Sequence, residues 1–404
     1  MQAVLEGIRV VEVANFVAAP AAGALLADLG AEVIKVEVHG GEMYRHGTPR
    51  SGGYESDFSE SPAFQMDNRG KRSLTLDLAR PAAREALLCV IDRADVVLTN
   101  LLPERRERFG LDAKSLLERK PELIFAALTG YGSEGAEANT PAFDYAAYWA
   151  RSGMMHLTRA PDAEPVYMRP GVGDHAASLS LACGILSALR VRDRTGKGQA
   201  VDVSLLQTGL YILGNDLAPA LVTRQNPLQH DRRQPRNPLW NQYRTADGRW
   251  LFLVMTDSQR YWPHLCRAIG RDELLEDERF TKAGRRLRDA RALVEILDAV
   301  FAARTLDEWS EILAKHKVIW APVLEPTEAI DDPQARAMGY FKTVEHPTAG
   351  RFETVGPPFK LSDLPLRGDR PAPAVGADNA AVLADVGLTQ DEIHEAVKPS
   401  DESR

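Results

Sequence analysis

Through the first 130 residues, short β-branched runs alternate with helix-length apolar stretches, and this rhythm constrains the fold more than any other feature. Residues 8–13 form a β-branched run. Residues 18–29 read as a helix of small residues stopped by Gly30, and residues 31–37 as a second strand. Residues 72–78 alternate apolar and polar, as a half-buried strand does. A helix over 81–94, a strand over 96–99, a helix over 113–119 and a strand over 123–128 follow. Strand–helix–strand units with short connections predict an α/β domain on a mainly parallel sheet. Residues 40–70 interrupt the rhythm with Gly, Ser, Asp and Glu, and read as a long loop, functional or mobile.

The pattern continues with a long helix over 174–192, a strand over 200–205 and an apolar helix over 206–221. It changes near residue 224. Residues 224–238 have no apolar period and read as a linker, and Asp247-Gly248 is a hairpin turn within 243–250. Helices over 262–270, 288–303 and 306–315 and a strand over 318–324 follow. A stretch rich in Pro and Gly, 345–370, reads as a second linker, and the last helix covers 379–386. The 404 residues thus divide into a large domain over 1–223, to which 371–404 returns, and a small α+β domain over 239–344.

Composition narrows the function. A formal net charge of −8 argues against nucleic acid as a partner, so any anionic ligand must meet a local cluster of Lys and Arg. Cys89, Cys183 and Cys266 are odd in number and widely spaced, which fits a reducing compartment. Glu6, Arg9 and Glu12 break the N-terminus before a signal-peptide core forms, and no run approaches the ~18 apolar residues of a membrane span, so a cytoplasmic protein is expected. No His lies three or four residues from another, which leaves no metal-ligand spacing, and no Gly-x-Ser-x-Gly elbow is present.

Two glycine motifs suggest a dinucleotide site and fail its full pattern. Gly130-Tyr-Gly-Ser-Glu-Gly135 follows a strand but runs into Asn139-Thr-Pro141, not into a helix. Gly171-Val-Gly-Asp-His-Ala176 opens a helix but lacks a strand before it. Asp174 in the second motif stands out. Its plain reading is an N-cap, a role for which Asp is favoured. Its chemical reading uses the same place: the flanking glycines leave room for a planar acyl group, the carboxylate can attack a carbonyl, and the helix N–H groups can hold the resulting oxyanion.

The chain resembles the family III CoA-transferases, the group of formyl-CoA:oxalate and carnitine CoA-transferases, with the α-methylacyl-CoA racemases as sisters. The resemblance begins at Leu5-Glu-Gly-Ile-Arg-Val-Val-Glu-Val13 and runs through 24–37, Asn68-Arg-Gly-Lys-Arg-Ser73, Ala94-Asp-Val-Val-Leu-Thr-Asn100, Gly173-Asp174 and 184–199. It extends to Ala321-Pro-Val323, Gly356-Pro-Pro-Phe-Lys360 and the final helix. It implies a Rossmann-like large domain, a smaller α+β domain and an interlocked homodimer. It also implies transfer of CoA from an acyl-CoA to a free carboxylic acid, with no cofactor beyond CoA, no metal and no membrane.

By the same resemblance Asp174 is the nucleophile, passing through an aspartyl anhydride and an aspartyl-CoA thioester. His39, Asn68, Lys71, Arg72, Ser73, Asn100, Leu101, Arg108 and Phe109 are the expected CoA contacts, with Arg105 and Arg106 adding positive charge. Val17, Tyr145, Gly171 and Gly173 are the expected substrate pocket; Trp240, Asn241 and Tyr243 are candidates for acceptor contact, with core packing as the role favoured for them. The chain departs from the family pattern in two places. It lacks the poly-glycine loop of formyl-CoA transferase, and Phe143 stands before Asp144 where the racemases place a catalytic His. An acyl-CoA racemase or isomerase is the alternative, weakened because proton transfer at an α-carbon needs a second base.

Overall fold

The computed structural model describes residues 3–399. The chain packs as two compact units. One holds the segments up to Met155, Tyr167–Gln225 and everything from Arg336 onward; the other holds His156–Val166 and Asn226–Ala335.

The first unit is built on six parallel strands: β1 (Arg9–Val13), β2 (Glu32–Glu37), β3 (Arg72–Thr75), β4 (Val96–Thr99), β5 (Ile124–Thr129) and β6 (Gln199–Ser204). They lie in the order β3-β2-β1-β4-β5-β6. This is the doubly wound order, in which the chain builds outward from β1 on one side and returns to β4 on the other. The strands read as near-continuous apolar runs because helices cover both faces: β4 and β5 are buried at every position.

Helices α1 (Ala18–Asp28), α2 (Pro62–Asn68), α3 (Pro81–Asp92), α4 (Pro103–Phe109), α5 (Ala113–Arg119), the single turn α6 (Met154–Leu157) and α7 (Val172–Thr195) follow in chain order. Helix α1 is made of small residues because it lies close on a buried carboxylate; a Cβ at Gly23 would stand 2.0 Å from Glu12 Oε2. Helix α7 is long and apolar enough to cross a bilayer, a run that sequence reading did not single out. It buries Ala177, Leu181, Ile185 and Ala188 and packs on α1 and β5, as a core helix does. The apolar stretch after β6 is two helices, α8 (Leu205–Ile212) and α9 (Gly214–Thr223).

The second unit has a three-stranded antiparallel sheet, β7 (Trp240–Arg244), β8 (Trp250–Val254) and β9 (Trp320–Pro322), with Gly248 at φ +81° in the β7–β8 turn. Helices α10 (Ser258–Ala268), α11 (Ala283–Arg288), α12 (Ala290–Phe301), α13 (Leu306–Ala314) and α14 (Pro326–Ile330) complete it. Its core gathers Tyr243, Leu251, Trp262, Phe280, Leu297 and Trp309. Residues 226–238 are irregular, but Arg232 pairs with Asp298 at 2.8 Å and ties them down.

Several expectations change. Helix α15 (Pro333–Met338) is followed by a hairpin, β10 (Phe341–His346) and β11 (Gly350–Val355), where a linker over 345–370 was expected. Pro347 and Gly350 suggested a linker; Pro347 lies in the turn of this hairpin and Gly350 opens β11, and the hairpin packs through Phe352 on Phe58 at 5.0 Å. Residues 336–344, expected in the small domain, therefore belong to the first unit, and His156–Val166, expected in the large domain, to the second. The 40–70 loop contains α2, capped by Ser61 with Pro62 at its first position. A further helix follows α16 (Asn379–Asp385): α17 (Gln390–Ala396), announced by the capping box Thr389/Glu392.

Candidate active site

Two adjoining cavities open past the C-terminal ends of the parallel strands, where β1 and β4 send their chains in opposite directions. Open α/β sheets bind ligands at this place. The larger, about 570 Å³, follows the ends of β1 to β4 along Val13–Asn15, Val36–Val38, Leu76–Ala79 and Leu101–Leu102. Glu104, Arg105, Arg108 and Phe109 of α4 and Asn139 complete its wall. The smaller, about 320 Å³, is lined by Asn15–Ala18, Asn100, Leu128–Gly130, Pro141–Phe143, Leu205 and Asp174. Asn15, Leu101, Leu102 and Arg105 belong to both walls, so the two spaces adjoin.

The floor between them is fixed by side chains that take up backbone groups. Asn100 Oδ1 accepts the Asn15 N–H at 3.1 Å, and its Nδ2 donates to Asn15 O at 2.7 Å. Thr99 Oγ1 donates to Val13 O at 2.9 Å and accepts from Leu101 N–H at 3.1 Å. Asn100 is thus a clamp on the loop after β1 as well as a wall residue.

Asp174 lies in the first turn of α7. Gly171, at φ +78°, is the N-cap, so Asp174 is not the cap that its position suggested. Gly173 faces away from the cavity; a Cβ there would lie 2.5 Å from the Tyr148 ring, so this glycine serves close packing and not the approach of an acyl group. Nor are the N–H groups of Gly173 and His175 open for an oxyanion. Gly173 N–H donates to Asp144 Oδ2 at 3.2 Å, and His175 N–H to Gly171 O at 2.9 Å. His175 Nε2 lies 3.0 Å from Asp67 Oδ1. Burial pushes Asp174 up to about 7; Asp144 and then Asp67 add to this, and His175 opposes it. Asp144 is itself raised, by burial first, although the N–H groups of Gly173, Tyr145 and Gly171 oppose it.

The structure brings Asp174, Val17, Asn100 and Leu101 into the small cavity and Leu101, Arg108 and Phe109 into the large one. Arg105 and Arg108 are exposed and lie over the Phe109 ring at 5.6 and 5.8 Å. His39 follows the wall residue Val38; its Nε2 is buried and has no hydrogen-bond partner among the described residues.

The segment 68–73 does not reach either cavity. Lys71 Nζ is buried, 2.7 Å from Glu12 Oε2, and donates to Pro20 O and Asn68 Oδ1, both at 2.8 Å. Asn68 is buried and donates to Phe64 O at 3.2 Å. Ser73 Oγ donates to Glu37 Oε1 at 2.8 Å and accepts from Gly376 N–H. Arg72 pairs with Glu32 at 2.5 Å and Asp378 at 3.3 Å. The reason is strand polarity: Arg72 opens β3, whereas the cavity lies past the strand's end at Leu76–Ala79. Arg106 is also buried, against Phe125 and Ser133.

Tyr145 pairs with Tyr167 instead, hydroxyl to hydroxyl at 3.1 Å, and Gly171 and Gly173 shape the helix start without lining the cavity. Tyr243 and Asn241 are core residues of the second unit. Sequence reading missed Asn15, Leu76–Ala79 and Asn139. A rule was available for the first two, since residues that directly follow parallel strands line this kind of cleft; Asn139 had no local signal.

An α/β sheet with a cleft at its switch point and a half-buried, raised carboxylate in a side cavity defines a candidate acyl-transfer enzyme. The chain belongs to CoA-transferase family III, whose family model matches residues 5–379. It is 32% identical over 392 residues to the (R)-2-hydroxy-4-methylpentanoate CoA-transferase of Clostridioides difficile, covering 96% of this chain and 97% of that one. It is also 32% identical to the cinnamoyl-CoA:phenyllactate CoA-transferase of Clostridium sporogenes, covering 98% and 96%. Among solved structures, a CaiB/BaiF family protein from Brucella suis superposes with a TM-score of 0.84 at 30% identity, over 96% of this chain and all of that one.

Proposed function

We propose that this protein moves CoA from an acyl-CoA thioester to a free carboxylic acid, with Asp174 as the nucleophile. The observation that carries this reading is that Asp174 is the one acidic side chain among the described residues lining the cavity that adjoins the nucleotide-sized cleft. Arg105 and Arg108 on α4 are the groups offered to the phosphates, with Asn139 and Leu76–Ala79 around the nucleotide end.

The chemistry balances without water, metal or nucleoside triphosphate. An Asp174 carboxylate oxygen attacks the thioester carbonyl; the C–S bond breaks and CoA leaves as thiolate, giving a mixed aspartyl anhydride. The thiolate attacks the aspartyl carbonyl and releases the first acid as its carboxylate, leaving an aspartyl-CoA thioester. The acceptor carboxylate attacks that thioester, and the thiolate returns to the acceptor's carbonyl, which frees Asp174. Two thioesters and two carboxylates exchange, so no cofactor beyond CoA is needed. A carboxylate raised by burial is a stronger nucleophile but must be ionised, so turnover rises as pH passes upward through about 7.

A racemase would need a second base. Phe143 supplies none, Asp144 is engaged by Gly173, and no His lines the cavity among the described residues. We also propose a homodimer. Helix α9 buries none of its residues, and Leu210, Tyr211, Leu221 and Val222 are exposed, an apolar face of the kind that a second copy covers.

The test is to incubate the enzyme with acyl-CoA, quench with hydroxylamine and read the peptide spanning residues 170–190 by mass spectrometry. A hydroxamate on Asp174 is expected, and Asp174→Asn abolishes both it and turnover. An unmodified peptide with solvent deuterium at the acyl α-carbon would establish the racemase instead. A hydroxamate on Asp144 would move the nucleophile.

A further inference from the structure

The wall of the Asp174 cavity carries a device that CoA transfer as such does not require. Phe16 and Phe143 are large apolar side chains left 38% and 59% exposed, both line this cavity, and they meet edge to face at 5.2 Å and 90°. Phe16 sits at φ +65°, a conformation that a residue with a Cβ rarely adopts. Something must hold it there. Glu42 Oε2 accepts the Phe16 N–H at 2.5 Å, and the buried Lys35 Nζ binds Glu42 at 2.6 Å while donating to Ala14 O at 3.0 Å. Lys35 is in turn 3.2 Å from Glu12. One buried ion cluster therefore grips the chain on both sides of Asn15 and turns the Phe16 ring toward Phe143. Val17, Leu128 and Leu205 continue the apolar wall, and Arg105, on the side shared with the large cleft, is the one cation lining the cavity among the described residues.

We infer that Phe16 and Phe143 are specificity-determining residues that select an uncharged apolar acyl group, aryl or branched aliphatic, and disfavour dicarboxylic acids. This rests on the CoA-transfer reading. A flat or branched apolar group gains ring contact and loses water against this pair. A second carboxylate would be desolvated beside two rings, and the one cation lining the cavity, Arg105, stands on the side shared with the large cleft, where the CoA-transfer reading offers it to the phosphates. The strained Phe16 backbone is the cost of presenting the ring.

The experiment measures kcat/KM for 3-phenylpropanoyl-, 4-methylpentanoyl-, acetyl- and succinyl-CoA with isotope-labelled acetate as acceptor, following labelled acetyl-CoA. The wild-type enzyme is expected to prefer both apolar donors to succinyl-CoA by at least about tenfold. Phe143→Ala should lower kcat/KM for the apolar donors by about tenfold and for acetyl-CoA by less than about threefold, and Phe143→Leu should restore the 4-methylpentanoyl donor. Succinyl-CoA as the best donor, or an equal loss on every donor in Phe143→Ala with no rescue by Leu, would overturn the assignment. No labelled acetyl-CoA from any donor, with no hydroxamate on Asp174, would instead overturn the CoA-transfer reading beneath it.

Discussion

Two clusters of basic residues, 69–72 and 105–108, look alike in sequence and end in opposite environments. In the first, Lys71 is buried among Glu12, Pro20 O and Asn68, Arg69 is buried and pairs with Asp28 at 2.6 Å, and Arg72 is paired at the start of β3. In the second, Arg105 and Arg108 stand on one side of α4, exposed along the large cleft, while Arg106 between them turns into the core. Charge content did not distinguish them. Position on the sheet did: 69–72 lead into a parallel strand, at its start, and 105–108 follow the end of one. The first cluster holds the fold and the second is offered to the ligand.

The sharpest way to break this contrast is Lys71→Met. Removing one partner of a buried ion cluster leaves Glu12 with Lys35 alone and should cost about 3–5 kcal/mol of stability. Burial pulls the Lys71 ammonium down to about 8, against the pull of Glu12, so the unfolded chain holds this proton more tightly and the Lys71 contribution to stability rises as pH climbs from about 8 towards the ordinary 10.5, a rise that Lys71→Met removes. Denaturant titration reads the loss; in the folded protein, acyl-CoA affinity should change by less than about threefold. A large loss of affinity at unchanged stability would put Lys71 back at the phosphates. Arg108→Ala should do the reverse: weaken acyl-CoA binding by roughly 1.5–3 kcal/mol, read by calorimetry, and leave the denaturation midpoint in place. Arg72→Ala is the smallest change. Its ion pairs are partly exposed, so stability should fall by about 1 kcal/mol or less, with affinity untouched. A tenfold weaker affinity in this variant would erase the distinction between the clusters.

The local rhythm of strands and helices was legible because hydrophobic period and stop residues are local. Strand 96–99 and helix 113–119 were read to the residue. Helix α4 was missed since its seven residues carry five charges and only Pro103 and Gly110 mark its ends. The hairpin Phe341–Val355 was missed because the turn residues that close it are the same ones that mark a linker.

Asp174 could be singled out from its motif, but the reasons given for its neighbours were wrong: Gly173 answers to Tyr148 and its N–H to Asp144, 29 residues away. Such partners are set by packing between distant segments, which no local pattern carries. The sequence by itself determined the α/β class, the places where most elements begin and end, the local charge available and the residue types for acyl transfer, because each depends on neighbours along the chain. Only the tertiary structure decided which charges face the cleft, what raises Asp174 and what turns Phe16 to meet Phe143. Those depend on strand order, on burial and on contacts such as Lys35 with Glu42 or His175 with Asp67, which exist only once the sheet has brought distant residues together.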